Sequence, residues 1–208
     1  MAYRLKIVEL DKIPPAEEFL TKRELETYKA FKIDKRKTEW LGGRYALKTL
    51  ACDFFNFNIK SMEVKNLASG KPVLLVPGGT KLPVSITHSG PYAAAAIALT
   101  GQAIGLDIEA IEQRSPAWVK QCFDDREVSS KSAPFLTELW AKKEAVLKFL
   151  GVGLKLSCTD INFVFGRLEF QGKALDLWAR QGSPNIEVKV QDLEGSYKLA
   201  IAAEEPRF

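Results

Sequence analysis

Gly105-Leu106-Asp107-Ile108-Glu109 reads as a strand with two chemically different faces. Ile104, Leu106 and Ile108 line an apolar side, while Gly105, Asp107 and Glu109 line the other. The apolar side calls for a core. Asp107 and Glu109 leave the opposite side with Cα atoms roughly 6.5–7 Å apart at strand rise, so both can reach one hard cation. Two like charges that close are costly unless something positive sits between them. An exposed acidic face would give the same pattern, so the rest of the chain has to decide.

The chain has 208 residues, 46% of them hydrophobic, enough for one large domain or two small lobes with a real core. No apolar run approaches the roughly 20 residues needed to span a bilayer. Met1–Glu9 alternates like a strand and lacks a basic-then-apolar signal pattern, so no membrane association is expected. Cys52, Cys122 and Cys158 are widely spaced without a C-x-x-C, and His88 is the single histidine. That argues against zinc and a disulfide framework and for a reducing, cytoplasmic compartment. Charge is uneven: residues 1–100 hold 16 Lys+Arg against 10 Asp+Glu, and residues 101–208 hold 14 against 16. A basic first half suits a polyanionic ligand, and an acidic second half suits a bound cation.

In order, the chain predicts a strand at Tyr3–Val8, a helix-prone stretch at Ala16–Phe31 and a long helix at Thr38–Phe54. Strands at Val73–Val76, Val84–Thr87 and Tyr92–Leu99 follow. Gly42-Gly43 costs the helix about 1 kcal/mol per glycine, so something is expected to approach its backbone closely. The second half predicts a strand at Ala103–Glu109 and helical character at Pro116–Ser129. A further helix is capped by Ser132, started by Pro134 and stopped after Leu150 by Gly151. Strands at Asp160–Phe165, Leu168–Phe170, Ile186–Val190 and Tyr197–Ala202 complete it.

The halves resemble copies. Trp40 to Lys48 aligns with Trp140 to Lys148, and Gly90-Pro91-Tyr92 aligns with Gly195-Ser196-Tyr197, 52 and 57 residues from Trp to Tyr. The expected fold is therefore α+β, a pseudo-dimer of two similar lobes, 1–100 and 101–208, with a ligand cleft between them. Arg44 in one helix stands opposite Glu144 in the other. Glu144 and Lys148 are i,i+4 on one helix face, which is also the favoured surface ion pair, worth about 0.2–0.5 kcal/mol. Lys71 in Gly70-Lys71-Pro72 is by itself a turn residue. His88 ends Ser85-Ile86-Thr87-His88-Ser89 among hydroxyls, a setting that suits an anion or an ordinary surface histidine equally.

Taken together, Gly70-Lys71-Pro72, Ser85 to Ser89, Gly105 to Glu109 and Trp140-Ala-Lys-Lys143-Glu144-Ala145-Val-Leu-Lys148 resemble the 4′-phosphopantetheinyl transferases, in particular the longer, single-chain, pseudo-dimeric type. The resemblance covers roughly residues 20–170. Thr87 departs from it, standing where serine is usual and keeping the hydroxyl. The resemblance implies that coenzyme A gives its phosphopantetheine arm to a serine of an apo acyl, peptidyl or aryl carrier protein, releasing adenosine 3′,5′-bisphosphate. It implies Mg²⁺ (or Mn²⁺) held by Asp107, Glu109 and Glu144, with Glu144 and Lys148 catalytic. Arg44, Lys71, Pro72, Ser85, Thr87, His88 and Lys148 would then hold coenzyme A, with the basic lobe on the nucleotide side, the acidic lobe on the metal side and a monomer as the working unit.

Two other classes fit parts of the pattern. A metal-dependent nuclease also uses carboxylates and a lysine, but the basic residues form no dense stripe interleaved with aromatics, so nucleic acid is not expected. A non-catalytic binder of coenzyme A or carrier would not need the acidic and lysine positions.

Overall fold

The first unit, Met1–Ile104, is built on one long helix laid across an antiparallel sheet. The structure is a computed structural model that describes residues 3–99 and 103–205. Strand β1 (Tyr3–Glu9) leads to the short helix α1 (Ala16–Phe19) and to α2 (Lys22–Ala30). The helix-prone stretch 16–31 is split at Thr21, whose Oγ1 accepts from Glu24 N at 3.2 Å while Glu24 Oε2 accepts from Thr21 N at 2.9 Å. This reciprocal cap starts a new helix there. Helix α3 (Asp34–Phe55) begins four residues before the predicted Thr38. Strands β2 (Glu63–Asn66), β3 (Pro72–Leu75), β4 (Lys81–Ser89) and β5 (Tyr92–Ala98) complete a sheet of order β1-β5-β4-β3-β2. The sequence did not reveal β2, because only Val64 of its four side chains is buried.

Gly42 and Gly43 do what the sequence predicts. A Cβ on Gly42 would lie 2.3 Å from Leu10 Cδ2, and one on Gly43 would lie 2.4 Å from Ile86 Cγ2. Helix α3 therefore rests directly on β4 and on the small residues Ala93–Ala96 of β5, all fully buried. The core between them holds Ala46, Leu47, Leu50, Met62, Leu74 and Ile97.

The second unit, Gly105–Phe208, continues from β6 (Ile104–Ala110) through α4 (Pro116–Cys122) and α5 (Ala133–Leu150). Then come the hairpin β7 (Ile161–Val164) and β8 (Arg167–Phe170), α6 (Gly172–Arg180), β9 (Ile186–Leu193) and β10 (Tyr197–Glu204). Its sheet has the order β6-β10-β9. Gly105 lets β6 meet α5: a Cβ there would lie 1.8 Å from the Ala145 carbonyl oxygen. Helix α4 ends at Cys122, short of the predicted Ser129, because the chain turns so that Glu127 points inward. Ser132 occupies the position before α5 without a side-chain cap, and Pro134 begins the helix. Helix α6 was not predicted; its Trp178 stacks on Phe170 at 5.3 Å. The predicted boundary between residues 100 and 101 lies outside the described residues. No helix among the described residues is long and apolar enough to cross a membrane.

The same contacts recur in both units. The spatial order β1-β5-β4 in one is β6-β10-β9 in the other. Leu10 N donates to Pro91 O at 2.7 Å, and Ile111 N donates to Ser196 O at 2.8 Å. Buried Lys48 on α3 bonds Glu24 and the Phe19 carbonyl, and Glu24 accepts from Val64 N. Buried Lys143 on α5 bonds Glu127 and the Cys122 carbonyl, and Glu127 accepts from Phe163 N. Each lysine lies seven residues before its helix end, Phe55 or Leu150, and each helix closes on a left-handed residue, Asn56 or Gly151. The ion pair of Lys6 on β1 with Asp53 on α3 reappears with its charges exchanged as Asp107 on β6 with Lys148 on α5. The packing thus matches Lys48 with Lys143 and Asp53 with Lys148, whereas the sequence alignment matched Lys48 with Lys148. Glu144 corresponds by this packing to Thr49, not to Arg44.

Candidate active site

Strand β6 and helix α5 bring four of the predicted residues together. Asp107 Oδ1 accepts from Lys148 Nζ at 2.7 Å, and the same ammonium reaches Leu106 O at 3.0 Å. Glu109, two residues along the same face, accepts from Trp140 Nε1 at 3.0 Å and from Arg114 Nη2 at 3.3 Å. Arg114 lies over the ring of Trp118, which meets Trp140 edge-on. Glu144 is 7% exposed and has no hydrogen bond or ion pair among the described residues. The alternative of a surface ion pair between Glu144 and Lys148 is not what forms: Lys148 pairs with Asp107 across the strand–helix contact.

Burial, and then the charge of Asp107, pushes the carboxyls of Glu109 and Glu144 up to about 7 each. For Glu109, Arg114, Trp140 and Lys148 oppose the shift. Three carboxylates in a half-buried space face two cations, Lys148 on Asp107 and Arg114 on Glu109, and still carry the larger charge. The donors are all hard oxygens, which suits Mg²⁺. As the side chains stand, Glu109 is drawn toward Trp140 and Arg114 and Asp107 toward Lys148. Among the described residues no three His, Cys, Asp or Glu side chains converge on an ion position. The oxygen chemistry of the set fits a magnesium ion, and the side chains as they stand do not surround one position.

The first unit holds the other predicted residues. Arg44 on α3 lies over Trp40 with its guanidinium carbon 3.4 Å from the ring centroid. Burial lowers its pKa to about 10, opposed by Glu24, and its Nε is buried without a partner. Lys71 sits just before β3, opposite Leu67, and burial lowers its pKa. Pro72 opens β3 and pairs with Asn66. Ser85 and Thr87 are buried on one face of β4, whereas strand alternation turns Ile86 and His88 to the α3 side, where His88 Nδ1 lies 3.7 Å from Glu39 Oε1. The hydroxyls and the histidine thus belong to opposite faces of one strand.

Sequence reasoning missed Arg114, Trp140 as the partner of Glu109, and the Lys143–Glu127 pair. A usable signal was present: Phe19-Leu-Thr21-Lys-Arg-Glu24 and Cys122-Phe-Asp124-Asp-Arg-Glu127 are the same hydrophobic-to-Arg-Glu pattern.

Comparison with known proteins is specific. The family model described as 4'-phosphopantetheinyl transferase superfamily matches residues 103–202. A 4'-phosphopantetheinyl transferase of Bacillus subtilis is 26% identical over 184 residues, covering 85% of this chain and 78% of that protein. The holo-[acyl-carrier-protein] synthase of Bacillus subtilis strain 168 is 36% identical over 95 residues, covering 40% of this chain and 75% of that protein. The holo-[acyl-carrier-protein] synthase of Exiguobacterium sibiricum is 42% identical over 72 residues, and the match spans 56% of its length and 32% of this chain. Among solved structures, a holo-(acyl-carrier-protein) synthase from Bacillus anthracis in complex with CoA (3',5'-ADP) is 28% identical, with a TM-score of 0.41 over 46% of this chain and 92% of that one. The chain belongs to the 4′-phosphopantetheinyl transferase superfamily.

Proposed function

We infer that this protein transfers the 4′-phosphopantetheine arm of coenzyme A to a serine of an apo carrier protein, releasing adenosine 3′,5′-bisphosphate. The observation that carries this reading is Glu144, a buried carboxylate without a partner beside the Asp107–Lys148 pair, in a chain of this superfamily. Asp107, Glu109 and Glu144 would hold Mg²⁺, which supplies positive charge to the pyrophosphate. Glu144 would also take the serine proton, directly or through water. Lys148 would turn from Asp107 to the bridging phosphate oxygen as negative charge develops there. Arg44, Lys71 and Pro72 would hold the nucleotide and its phosphates, with His88 contributing from the α3 face of β4 and the Ser85 and Thr87 hydroxyls from the other face. The recurring strand order, caps and ion pairs support an internal duplication, with lobes divided near residue 100.

Incubation with Mg²⁺, coenzyme A and an apo carrier tests the reaction. The carrier should gain about 340 Da, the mass of the phosphopantetheinyl group. An unchanged carrier would overturn the reading, and plasmid nicking instead would make the protein a nuclease.

Two predictions follow from the charge of the first unit. Lys71 is a partly buried cation, and hydrogen bonds between charged groups are the strong ones. Dephospho-coenzyme A should bind about tenfold or more weakly than coenzyme A by calorimetry. Equal affinities would remove Lys71 and His88 from the 3′-phosphate. The sequence pI of about 8.9 also predicts that an acidic carrier is steered by charge. Its kcat/KM should fall as salt rises, chiefly through association. A flat response would mean an apolar contact.

A further inference from the structure

We propose that Cys122 and Cys158 form a reversible disulfide within the second unit when the protein meets a hydroperoxide. This inference is independent of the transfer reaction. The two cysteines are 36 residues apart in sequence. Cys122 closes α4, and Cys158 opens the one-turn helix Cys158–Asp160 that leads into β7. Both pack in the cluster of Phe123, Leu136 and Leu139, and Cys158 Sγ reaches the carbonyl of Gln121, the residue before Cys122.

The backbones are pinned as well as the side chains. Lys143 Nζ donates to the Cys122 carbonyl at 2.9 Å and to the Cys158 carbonyl at 3.0 Å. Cys158 Sγ lies 3.9 Å from the Gln121 carbonyl oxygen. One buried ammonium therefore holds together the two segments that the disulfide would join. Cys52 lies in the other unit, on α3, and has no such neighbour among the described residues.

The two sulfurs have different tasks. Cys122 is buried; burial, and next the neighbouring Cys158, pushes its thiol up to about 12, which makes it a poor thiolate. Cys158 is half-buried, the more exposed of the two, and would meet the oxidant first. Its thiolate would attack one peroxide oxygen and break the O–O bond, giving the sulfenic acid and a hydroxide or alkoxide that takes up a proton. The Cys122 sulfur would then displace the sulfenic oxygen, and water leaves with the Cys122 proton. Two electrons pass from the thiols to the peroxide, and a dithiol reverses the bond by exchange. The disulfide closes a loop containing α5 and should make the unit harder to unfold.

The test uses the full reduced chain and equimolar hydrogen peroxide, followed by N-ethylmaleimide and mass measurement under denaturing conditions. The expected product is about 2 Da lighter than the reduced chain before alkylation and takes up label at one thiol only. A tryptic digest without reductant should join residues 121–126 to residues 156–167 and leave residues 49–60 singly labelled. Dithiothreitol should restore all three thiols, and the melting temperature of the oxidised form should be higher by about 5 °C or more. Cys158→Ser should abolish the link while Cys52→Ser keeps it. Mapping the unmutated chain does not depend on whether Cys122 variants fold. Sulfinic acid on Cys158 beside a free Cys122, a link through residues 49–60, or three labelled thiols after peroxide would each overturn the proposal.

Discussion

Glu144→Gln should lower carrier modification at least about 100-fold, the scale of losing general-base help, while leaving the protein folded. The amide keeps the size and shape of the side chain and removes its negative charge. In the folded chain, burial and the nearby Asp107 raise the Glu144 carboxyl to about 7 from an ordinary value of 4.5. A raised carboxyl favours folding most below its unfolded value and loses that contribution as pH climbs through the folded value. In metal-free buffer at pH 8 the charged carboxylate therefore weakens the wild-type fold, and Glu144→Gln should melt at the same temperature or higher. Added Mg²⁺ should raise the wild-type melting temperature more than that of the variant, because ligand binding stabilises only the form that can hold it. Wild-type turnover by Glu144→Gln would make Glu144 a structural residue and sink the proposed mechanism.

The parts of this site legible in sequence were those set by short-range geometry. Alternation in Gly105–Glu109 fixed which carboxylates share a face, and the i,i+4 spacing placed Glu144 and Lys148 together on α5. Spacing could not show that Lys148 would turn across to Asp107 instead of pairing along the helix, because that depends on how closely β6 approaches α5. Gly105 permits that approach: the Ala145 carbonyl oxygen stands 1.8 Å from where a Cβ would be. The same limit explains why the sequence pattern and the packing pair different residues of α3 and α5. Matching Trp40 with Trp140 aligned residue types along the chain, whereas the contacts align positions measured from each helix end. Helix α6 stayed hidden because Gln171-Gly172 opens it without a side-chain cap. Ser132 has the residue type of a cap, yet its hydroxyl bonds Ser130.

Lys143→Met should destabilise the protein by roughly 3–5 kcal/mol, the scale of leaving one partner of a buried ion pair alone. Neither Lys143 nor Glu127 exposes side-chain surface to solvent. Removing the ammonium would strand the carbonyls of Cys122 and Cys158 as well as the carboxylate, which would keep only the backbone N–H groups of Asp124 and Phe163 at 2.8 and 2.9 Å. For a chain of this size the loss corresponds to a drop of about 6–20 °C in melting temperature. The adjacent Lys142 provides the contrast. It pairs with Glu138 one turn away at a half-exposed position, and Lys142→Met should cost no more than about 0.5 kcal/mol. In the first unit Lys48 is equally buried, bonding Glu24 at 2.7 Å and Phe19 O at 2.6 Å. Lys48→Met should therefore fall in the same class as Lys143→Met, since Glu24 likewise retains only backbone donors, from Thr21 and Val64. Denaturant melts of the three variants decide the matter. Equal losses at Lys48 and Lys143 would mean that one buried staple holds both halves of the chain. A loss at only one of them would mean that the matching contacts are not energetic equivalents.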